Sequence, residues 1–259
     1  MSLKLNTTGT PRWVFWVGGI VVSLFVLIWQ LPARWVLSSI GTQTQCKVLV
    51  ESPTGSIWQG SAAIGFSEPA IDGKSCRPAL AVTERLYWTM SCQLLSLGCK
   101  VTIETPALNK PLQITMKPGE VRVADNEARL PAQILEVLGA PWTLLHPRAE
   151  LHARWTDLVF QTPNASGSLR ISLNNLISPI SQIQPLGSYD VQGELSATGL
   201  NYTLSTSKGP LLLQAQGTVS TQGATGQGDA NATPEMKEAL TGLLNLIGKR
   251  QGDSYRLVF

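Results

Sequence analysis

The chain has 259 residues, of which 43% are apolar and 14% are charged, and its formal net charge is +3 at neutral pH. With so little net charge and no run of Lys or Arg, the composition excludes a nucleic-acid-binding protein, for which a clustered basic face is expected. The length suits one large domain or two small ones, and the abundance of Ser, Thr, Gln and Gly favours β-strands and turns over surface helices.

The first predicted element is a transmembrane helix over Trp13–Leu31. These nineteen residues carry no charge, and at about 1.5 Å per residue their helical length is close to the roughly 30 Å of a hydrocarbon core. A cleaved signal peptide is the alternative, but its apolar region is shorter and ends at a small-residue site. Here Leu31-Pro32-Ala33 is a poor cleavage site and is followed at once by Arg34. We therefore predict a retained anchor.

The charged residues that flank this anchor indicate its orientation in the membrane only weakly. Lys4 and Arg12 precede it, whereas Arg34 and Lys47 follow it, so the positive-inside rule favours a cytoplasmic N-terminus only slightly. We expect residues 1–12 to form a cytoplasmic tail and residues 32–259 to form a β-rich domain outside the cytoplasm, with a sub-boundary near residues 139–147. The chain would then be a single-pass membrane protein; the family resemblance described below implies that the membrane is the inner membrane and that the domain is periplasmic.

The cysteines support that direction. All four, at Cys46, Cys76, Cys92 and Cys99, follow the anchor, and an even count on one side fits an oxidising compartment. Three pairings exist, and the sequence does not choose among them. Because Cys92 and Cys99 flank six residues that suit a hairpin loop, we favour Cys92–Cys99 and Cys46–Cys76. A zinc site is the competing interpretation, but the spacing lacks a C-x-x-C pair and no His lies near.

Strand signals dominate the remaining chain. Leu112, Ile114 and Met116 alternate with Gln113, Thr115 and Lys117, which is the period of a half-buried strand. A turn over Pro53–Gly55 is predicted between the first two strands. The predicted strands are Cys46–Glu51, Ser56–Phe66, Leu86–Gln93, Lys100–Glu104, Leu112–Lys117, Val121–Val123, Glu150–Gln161, Gly167–Leu173, Tyr189–Ala197, Tyr202–Thr206, Leu211–Ser220 and Tyr255–Phe259.

Two helices interrupt the strands. Leu130–Gly139 begins with a Pro in its first turn and has apolar residues at helical spacing. Gly223–Ala232 is small and polar and is predicted to be a flexible loop. Thr233 and Pro234 then form an N-cap and first turn, and apolar residues continue at helical spacing to Ile247. Packing of this second helix against the sheet is favoured over a position on the membrane surface, because its polar face is not markedly basic.

No pattern of catalytic residues is present in the sequence. His146 and His152 are the only histidines, and neither lies in an H-E-x-x-H motif; no G-x-S-x-G motif or Walker loop occurs. We therefore predict that the protein is not an enzyme and uses no cofactor or metal.

One short motif carries more information. Pro53–Ala62 reads P-T-G-S-I-W-Q-G-S-A. In a structural interpretation Gly55 supplies a turn, Trp58 covers a sheet face and Gly60 relieves crowding. In a functional interpretation Ile57, Trp58 and Gly60 form a partner surface centred on the indole. Because an indole in a strand is more often core than interface, the structural interpretation is favoured.

The same motif, following an anchor and Leu31-Pro32-Ala33, resembles the type II secretion system protein N family, also called general secretion pathway protein N. That family carries a G-T-[VI]-W-x-G-x-A stretch shortly after its anchor, and Leu240–Gly248 and Gly252–Phe259 resemble its ending. Ser56 stands where the family has Thr. The four cysteines are not part of the family pattern.

The resemblance implies a periplasm-facing component of the inner membrane that serves the export of folded proteins across the outer membrane of Gram-negative bacteria. It implies no catalytic residue. The expected function is thus a non-enzymatic accessory of type II secretion, whose partners are other inner-membrane secretion components and, through the anchor, membrane lipid, but not nucleic acid. The alternative is an envelope lipid-binding or lipid-transport module with an apolar β-groove.

Overall fold

The computed structural model describes residues 16, 19, 20, 23, 26, 30–35, 37, 48–66, 81–82, 84–93, 97–138, 145–161, 163–220 and 223–258. Within these residues the strands form one antiparallel sheet of 16 strands, so the mainly β prediction is confirmed. Most of the predicted anchor lies outside the described residues. Among those that are described, no helix has both the length and the apolar character needed to cross a membrane.

The strands follow one another through the sheet almost in chain order. The first eight are β1 (Val48–Gly55), β2 (Gln59–Phe66), β3 (Ala81–Val82), β4 (Leu86–Gln93), β5 (Gly98–Glu104), β6 (Leu112–Lys117), β7 (Glu120–Val123) and β8 (Asn126–Pro131). The others are β9 (Arg148–Gln161), β10 (Asn164–Ile177), β11 (Gly187–Ser196), β12 (Gly199–Lys208), β13 (Leu211–Ser220), β14 (Gly223–Ala232), β15 (Lys249–Gln251) and β16 (Ser254–Val258). Each predicted strand corresponds to one of these, whereas β3, β8, β14 and β15 were not predicted.

The two sides of the sheet differ in polarity. Along the ladders from β9 to β13, one side carries Ala153, Ile171, Val191, Leu204 and Ala215 next to one another. The adjacent positions in the same strands, Arg154, Arg170, Gln192, Thr203 and Gln216, lie side by side on the opposite side. Because successive residues of a strand point to opposite sides, alternation in the sequence becomes an apolar face and a polar face.

Two β-bulges keep the apolar face continuous where the alternation slips by one residue. In β9 the apolar positions are odd-numbered up to Trp155 and even-numbered from Leu158, and the ladder to β10 shifts between them. Asp157, at a φ of 52°, is the extra residue. A second shift in β10, with Asn175 at a φ of 51°, returns Leu176 to the apolar face. Without these insertions every later side chain in each strand would change sides.

The C-terminal helix (Lys237–Ile247) covers one end of the apolar face. It packs against β14 and β16, and its Leu240, Leu243 and Leu244 are buried. They join Leu151, Leu173, Tyr189, Leu211 and other residues of the sheet in one hydrophobic core. The predicted packing of this helix on the sheet is therefore confirmed. A short 3-10 helix (Pro234–Met236) precedes it, and Thr233 makes no side-chain capping bond.

Tyr189 places a polar hydroxyl group inside this core. Its hydroxyl is within hydrogen-bonding distance of two carbonyl oxygens, at 3.3 Å from Leu186 and 3.1 Å from Leu211. Burial raises the pKa of this phenol, because the ionised form would lose its hydration. The neutral hydroxyl thus ties the β10–β11 connection to the start of β13.

Two local predictions need correction. Gly223–Ala232, expected as a loop, is strand β14 and pairs with β13 along its whole length. Its small residues permit the pairing: a side chain at Gly228 would lie 2.2 Å from the carbonyl oxygen of Gln214. The helix predicted over Leu130–Gly139 is a 3-10 helix over Ala132–Leu138, because Leu130 and Pro131 belong to β8.

The predicted Cys92–Cys99 disulfide is present. The two residues face each other at the end of the β4–β5 hairpin, with Cα atoms 4.0 Å apart. Cys46 and Cys76 lie outside the described residues, so their pairing stays a prediction. The bridge closes the hairpin on the apolar face, where Cys99 also lies opposite Met116.

We predict that Leu240→Ala lowers the free energy of unfolding by about 2–5 kcal/mol, because it removes a buried side chain and leaves a cavity. Leu246→Ala in the same helix is the matched control: Leu246 is 49% exposed and Leu240 is 0% exposed. Urea denaturation of the full chain in neutral detergent would measure both. Equal losses for the two variants would contradict the packing of the helix on the sheet.

Candidate functional site

The predicted partner surface lies at the turn between β1 and β2. The predicted turn over Pro53–Gly55 is wrong: β1 continues to Gly55, which pairs with Gly60, and the chain reverses over Ser56–Trp58. An irregularity between Glu51 and Thr54 shifts the register, and Gly55 has a φ of 85° that favours glycine. The Ile57-Trp58 pair therefore lies at the tip of a hairpin and not inside a strand.

Hydrogen bonds from Ser56 fix this tip. Its backbone N–H donates to the Gln59 carbonyl at 2.9 Å. Its hydroxyl oxygen accepts from the backbone N–H groups of Trp58 and Gln59 at 3.2 and 3.3 Å. A serine hydroxyl often stabilises a turn in this way. The family's Thr, where this chain has Ser56, would offer the same hydroxyl.

Gly60 is required by close packing. A Cβ at this position would lie 2.3 Å from the Thr54 carbonyl oxygen and 2.4 Å from the Trp88 ring. The Trp88 indole thus crosses the backbone of Gly60, and its N–H donates to the Ser56 carbonyl at 3.2 Å. Two residues further along β4, the Met90 N–H donates to the Trp58 carbonyl. The motif is held against β4 by these contacts.

Side-chain hydrogen bonds stabilise Ser61, the residue that follows Gly60. Ser61 is buried, and its hydroxyl lies 2.9 Å from that of Thr54 and accepts from Arg85 at 3.0 Å. Ala62 follows and is 1% exposed, opposite Leu86. A larger side chain at position 62 would therefore have to displace its neighbours. Gly55, Ser56, Gly60 and Ala62 therefore each have a structural role.

The chain that follows the predicted anchor contacts the same turn. Ile57 N–H donates to the Leu31 carbonyl at 3.1 Å, and Pro32 forms a β-bridge with Ser56. Ala33, the next residue, is buried. The side chains of Ile57 and Trp58 are half-buried. We call this arrangement, Leu31–Ala33 against Ser56–Trp58, the junction.

The junction and Trp88 were not predicted from the sequence. Trp88 lies in the alternating series Leu86, Trp88, Met90, which indicates its face but not that the ring crosses Gly60. The contact with Leu31 joins residues on either side of a long connection, and nothing in their local pattern indicates that they meet. The candidate surface residues Ile57 and Trp58 lie close to Gly60, but on a turn and not within a strand.

A second surface is the open part of the apolar face, defined by Phe160, Leu195, Leu200, Tyr202 and Val219. It lies at the opposite end of the strands from the C-terminal helix. Phe160 and Val219 are 43% and 40% exposed. The Tyr202 hydroxyl group lies over Gly217, and burial raises the pKa of this phenol. This part of the sheet offers hydrocarbon surface to solvent.

The histidines lie apart from both surfaces. His146 Nδ1 is 3.4 Å from a Glu136 carboxylate oxygen, and His152 Nε2 is 3.3 Å from one of Glu150. Within the described part of the chain, no three His, Cys, Asp or Glu side chains are grouped so as to hold a metal ion.

We predict that Gly60→Ala destabilises the protein by about 1–3 kcal/mol, because the new methyl group forces Trp88 and the β1 backbone to move. Gly242→Ala is the control: nothing lies within 4 Å of its added methyl group, and alanine in a helix should stabilise by about 0.5–1 kcal/mol. Thermal denaturation of both variants would measure this. A Gly60→Ala variant as stable as the parent would contradict the packing described for the turn.

A protein family model matches most of the chain. No curated protein and no solved structure matches the chain. The family model described as type II secretion system (T2SS), protein N, matches residues 47–258, which include the turn, the whole described sheet and the C-terminal helix. This match implies a role in type II secretion. The chain belongs to the type II secretion system protein N family.

Proposed function

We propose that the protein is a non-enzymatic inner-membrane accessory of the type II secretion system that acts in export of folded proteins across the outer membrane. Residues 13–31 anchor it, the N-terminus is cytoplasmic and the sheet lies in the periplasm. The side chains of Ile57 and Trp58 bind another inner-membrane component of the system. The observation that carries this proposal is the junction.

The junction supports this proposal because Leu31 is the last residue of the predicted anchor and its carbonyl accepts the hydrogen bond from Ile57 N–H. If residues 13–31 cross the membrane, the Ile57-Trp58 turn lies next to the bilayer surface, within reach of other membrane proteins. The described residues Trp16, Ile20 and Val26 are helical and exposed, as an anchor requires. The Cys92–Cys99 disulfide fits an oxidising compartment.

The chemistry of the turn suits binding more than reaction. Its backbone groups are engaged with Leu31, Gln59 and Met90, and the half-buried side chains of Ile57 and Trp58 present hydrocarbon and an aromatic ring at its surface. Tryptophan is enriched among interface residues that contribute most to affinity. A rigid turn also limits the conformational entropy lost on binding.

A photo-crosslinking residue at position 58 should therefore capture an inner-membrane secretion component in living cells. Leu212, an exposed apolar residue on the polar face, is the control position and should capture none. Trp58→Ala should weaken the interaction about thirtyfold, since truncating such an indole typically costs about 2 kcal/mol or more.

An assay of protein export in living cells tests whether this surface is needed for function. The double variant Ile57→Ser/Trp58→Ala leaves the backbone bond to Leu31 in place, and it should lower the exported fraction of substrate proteins towards that of a gene deletion. Its abundance in the membrane fraction is the control for folding. Normal export by the double variant, or by the deletion strain, would contradict the proposal.

A second candidate function is lipid binding, which the open part of the apolar face favours. The hairpins β9–β10, β11–β12 and β13–β14 close at the same end of the strands as the turn of the junction. The exposed Phe160 and Val219 therefore lie towards the end that the anchor joins. Acyl chains leaving the bilayer there would meet an apolar surface whose backbone polar groups are already paired within the sheet.

Val219 and Leu212 allow a matched test, because both are 40% exposed on β13 but face opposite sides. If the apolar face holds acyl chains, native mass spectrometry of the detergent-extracted protein shows bound phospholipid or lipopolysaccharide. Val219→Asp should then lose the lipid and Leu212→Asp should keep it. A parent protein free of lipid, or equal loss in both variants, would contradict this candidate.

A further inference from the structure

A cavity on the polar face is lined by three arginines, of which one is paired with a carboxylate. It measures about 590 Å³ and lies between β8–β10 and the segment Pro106–Asn109. That segment runs along β8: Asn109 N–H donates to the Glu127 carbonyl, and Arg129 N–H donates to the Ala107 carbonyl. The segment forms one wall of the cavity, and the sheet forms its floor.

Three arginines line this cavity, Arg129, Arg154 and Arg170, and Glu127 is the acidic residue in its lining. Their positions follow from the ladders: Glu127, Arg154 and Arg170 lie in one row, and Arg129 and His152 lie in the next. Like charges placed directly opposite each other in neighbouring strands, as Arg154 and Arg170 are, repel and destabilise a sheet. The arrangement therefore requires an explanation.

The nearby carboxylates account for this arrangement only in part, because Glu127 neutralises Arg154 and leaves Arg170 uncompensated. Glu127 accepts from Arg154 Nη2 at 2.6 Å and from Nε at 3.1 Å. These bonds and the charge of Arg154 hold the pKa of Glu127 below its ordinary value, so it stays ionised and engaged. Glu150 lies against His152, and Asp190 accepts from the Ser172 hydroxyl.

Arg170 is thus left without an acidic partner, and Arg129 interacts with Glu127 only through its charge, which helps to lower the pKa of that carboxyl. Within the described residues, no ion pair joins either guanidinium to a carboxylate. The row of Arg154 and Arg170 continues through Gln192, Thr203 and Gln216, which are all neutral. The positive charge is therefore local to the cavity and not a property of the whole polar face.

We propose that this cavity binds an oxyanion of the phosphate class, held by the guanidinium groups of Arg129 and Arg170 with Arg154 beside them. Guanidinium groups bind such oxygens with two parallel hydrogen bonds each. The anion would offset the repulsion between Arg154 and Arg170. The site is independent of the junction and lies on the opposite face of the sheet from the open apolar surface.

The ligand can be a free phosphate or the phosphodiester of a lipid headgroup, and two probes separate these sources. The full chain in neutral detergent is titrated calorimetrically with inorganic phosphate and with short-chain phosphatidylglycerol. We expect at least one probe to bind. Arg129→Gln/Arg170→Gln should weaken that binding roughly 10- to 100-fold, as the loss of two charge-assisted contacts implies.

The control is Arg122→Gln/Arg256→Gln, which removes the same charge from the polar face outside the cavity, where Arg122 pairs with Glu120 and Arg256 bonds to Gln227. Its affinity should stay within about twofold of the parent value, because distant surface charges are screened by salt. Binding of phosphate alone identifies a soluble ligand; tighter binding of the lipid identifies a headgroup. If neither probe binds, or both double variants weaken binding equally, the proposal is overturned.

Discussion

The fold depends on one constraint: polar and apolar side chains must stay on opposite faces of one antiparallel sheet. Because a strand has a period of two residues, a slip of one position moves every later side chain to the wrong face. The bulges at Asp157 and Asn175 occur where the sequence alternation itself slips. They keep Leu158 and Leu176 beside the apolar residues of neighbouring strands, and so allow a single apolar face to run through the sheet.

This face is used in two ways. At one end the C-terminal helix buries it and makes a conventional core around Leu240, Leu244 and Tyr189. At the other end Phe160 and Val219 stay exposed, and the same end carries the turn that contacts Leu31. The helix thus packs at one end of the strands, while the surfaces proposed to bind a partner or lipid lie at the other end, beside Leu31.

The sequence predicted the elements whose signal is local. Leu112–Lys117 and Leu211–Ser220 alternate clearly and are strands with the predicted bounds. Gly223–Ala232 lacks large apolar residues, and its strand character comes from pairing with β13, so its local composition indicated a loop. The turn at Ser56–Trp58 depends on the pairing of Gly55 with Gly60 in the same way. Arg129, Arg154 and Arg170 are far apart in sequence, and only the register of three strands brings them to one cavity.

The continuity of the apolar face across the Asp157 bulge can be measured with two adjacent substitutions. Leu158 packs over Gly167 on the apolar face, whereas Val159 lies opposite Arg122 and Ser166 on the polar face. Leu158→Lys should lower the free energy of unfolding by about 2–4 kcal/mol, because it places a charge among apolar side chains. Val159→Lys should change it by no more than about 0.5–1 kcal/mol. Equal costs, or a larger cost at Val159, would contradict the account.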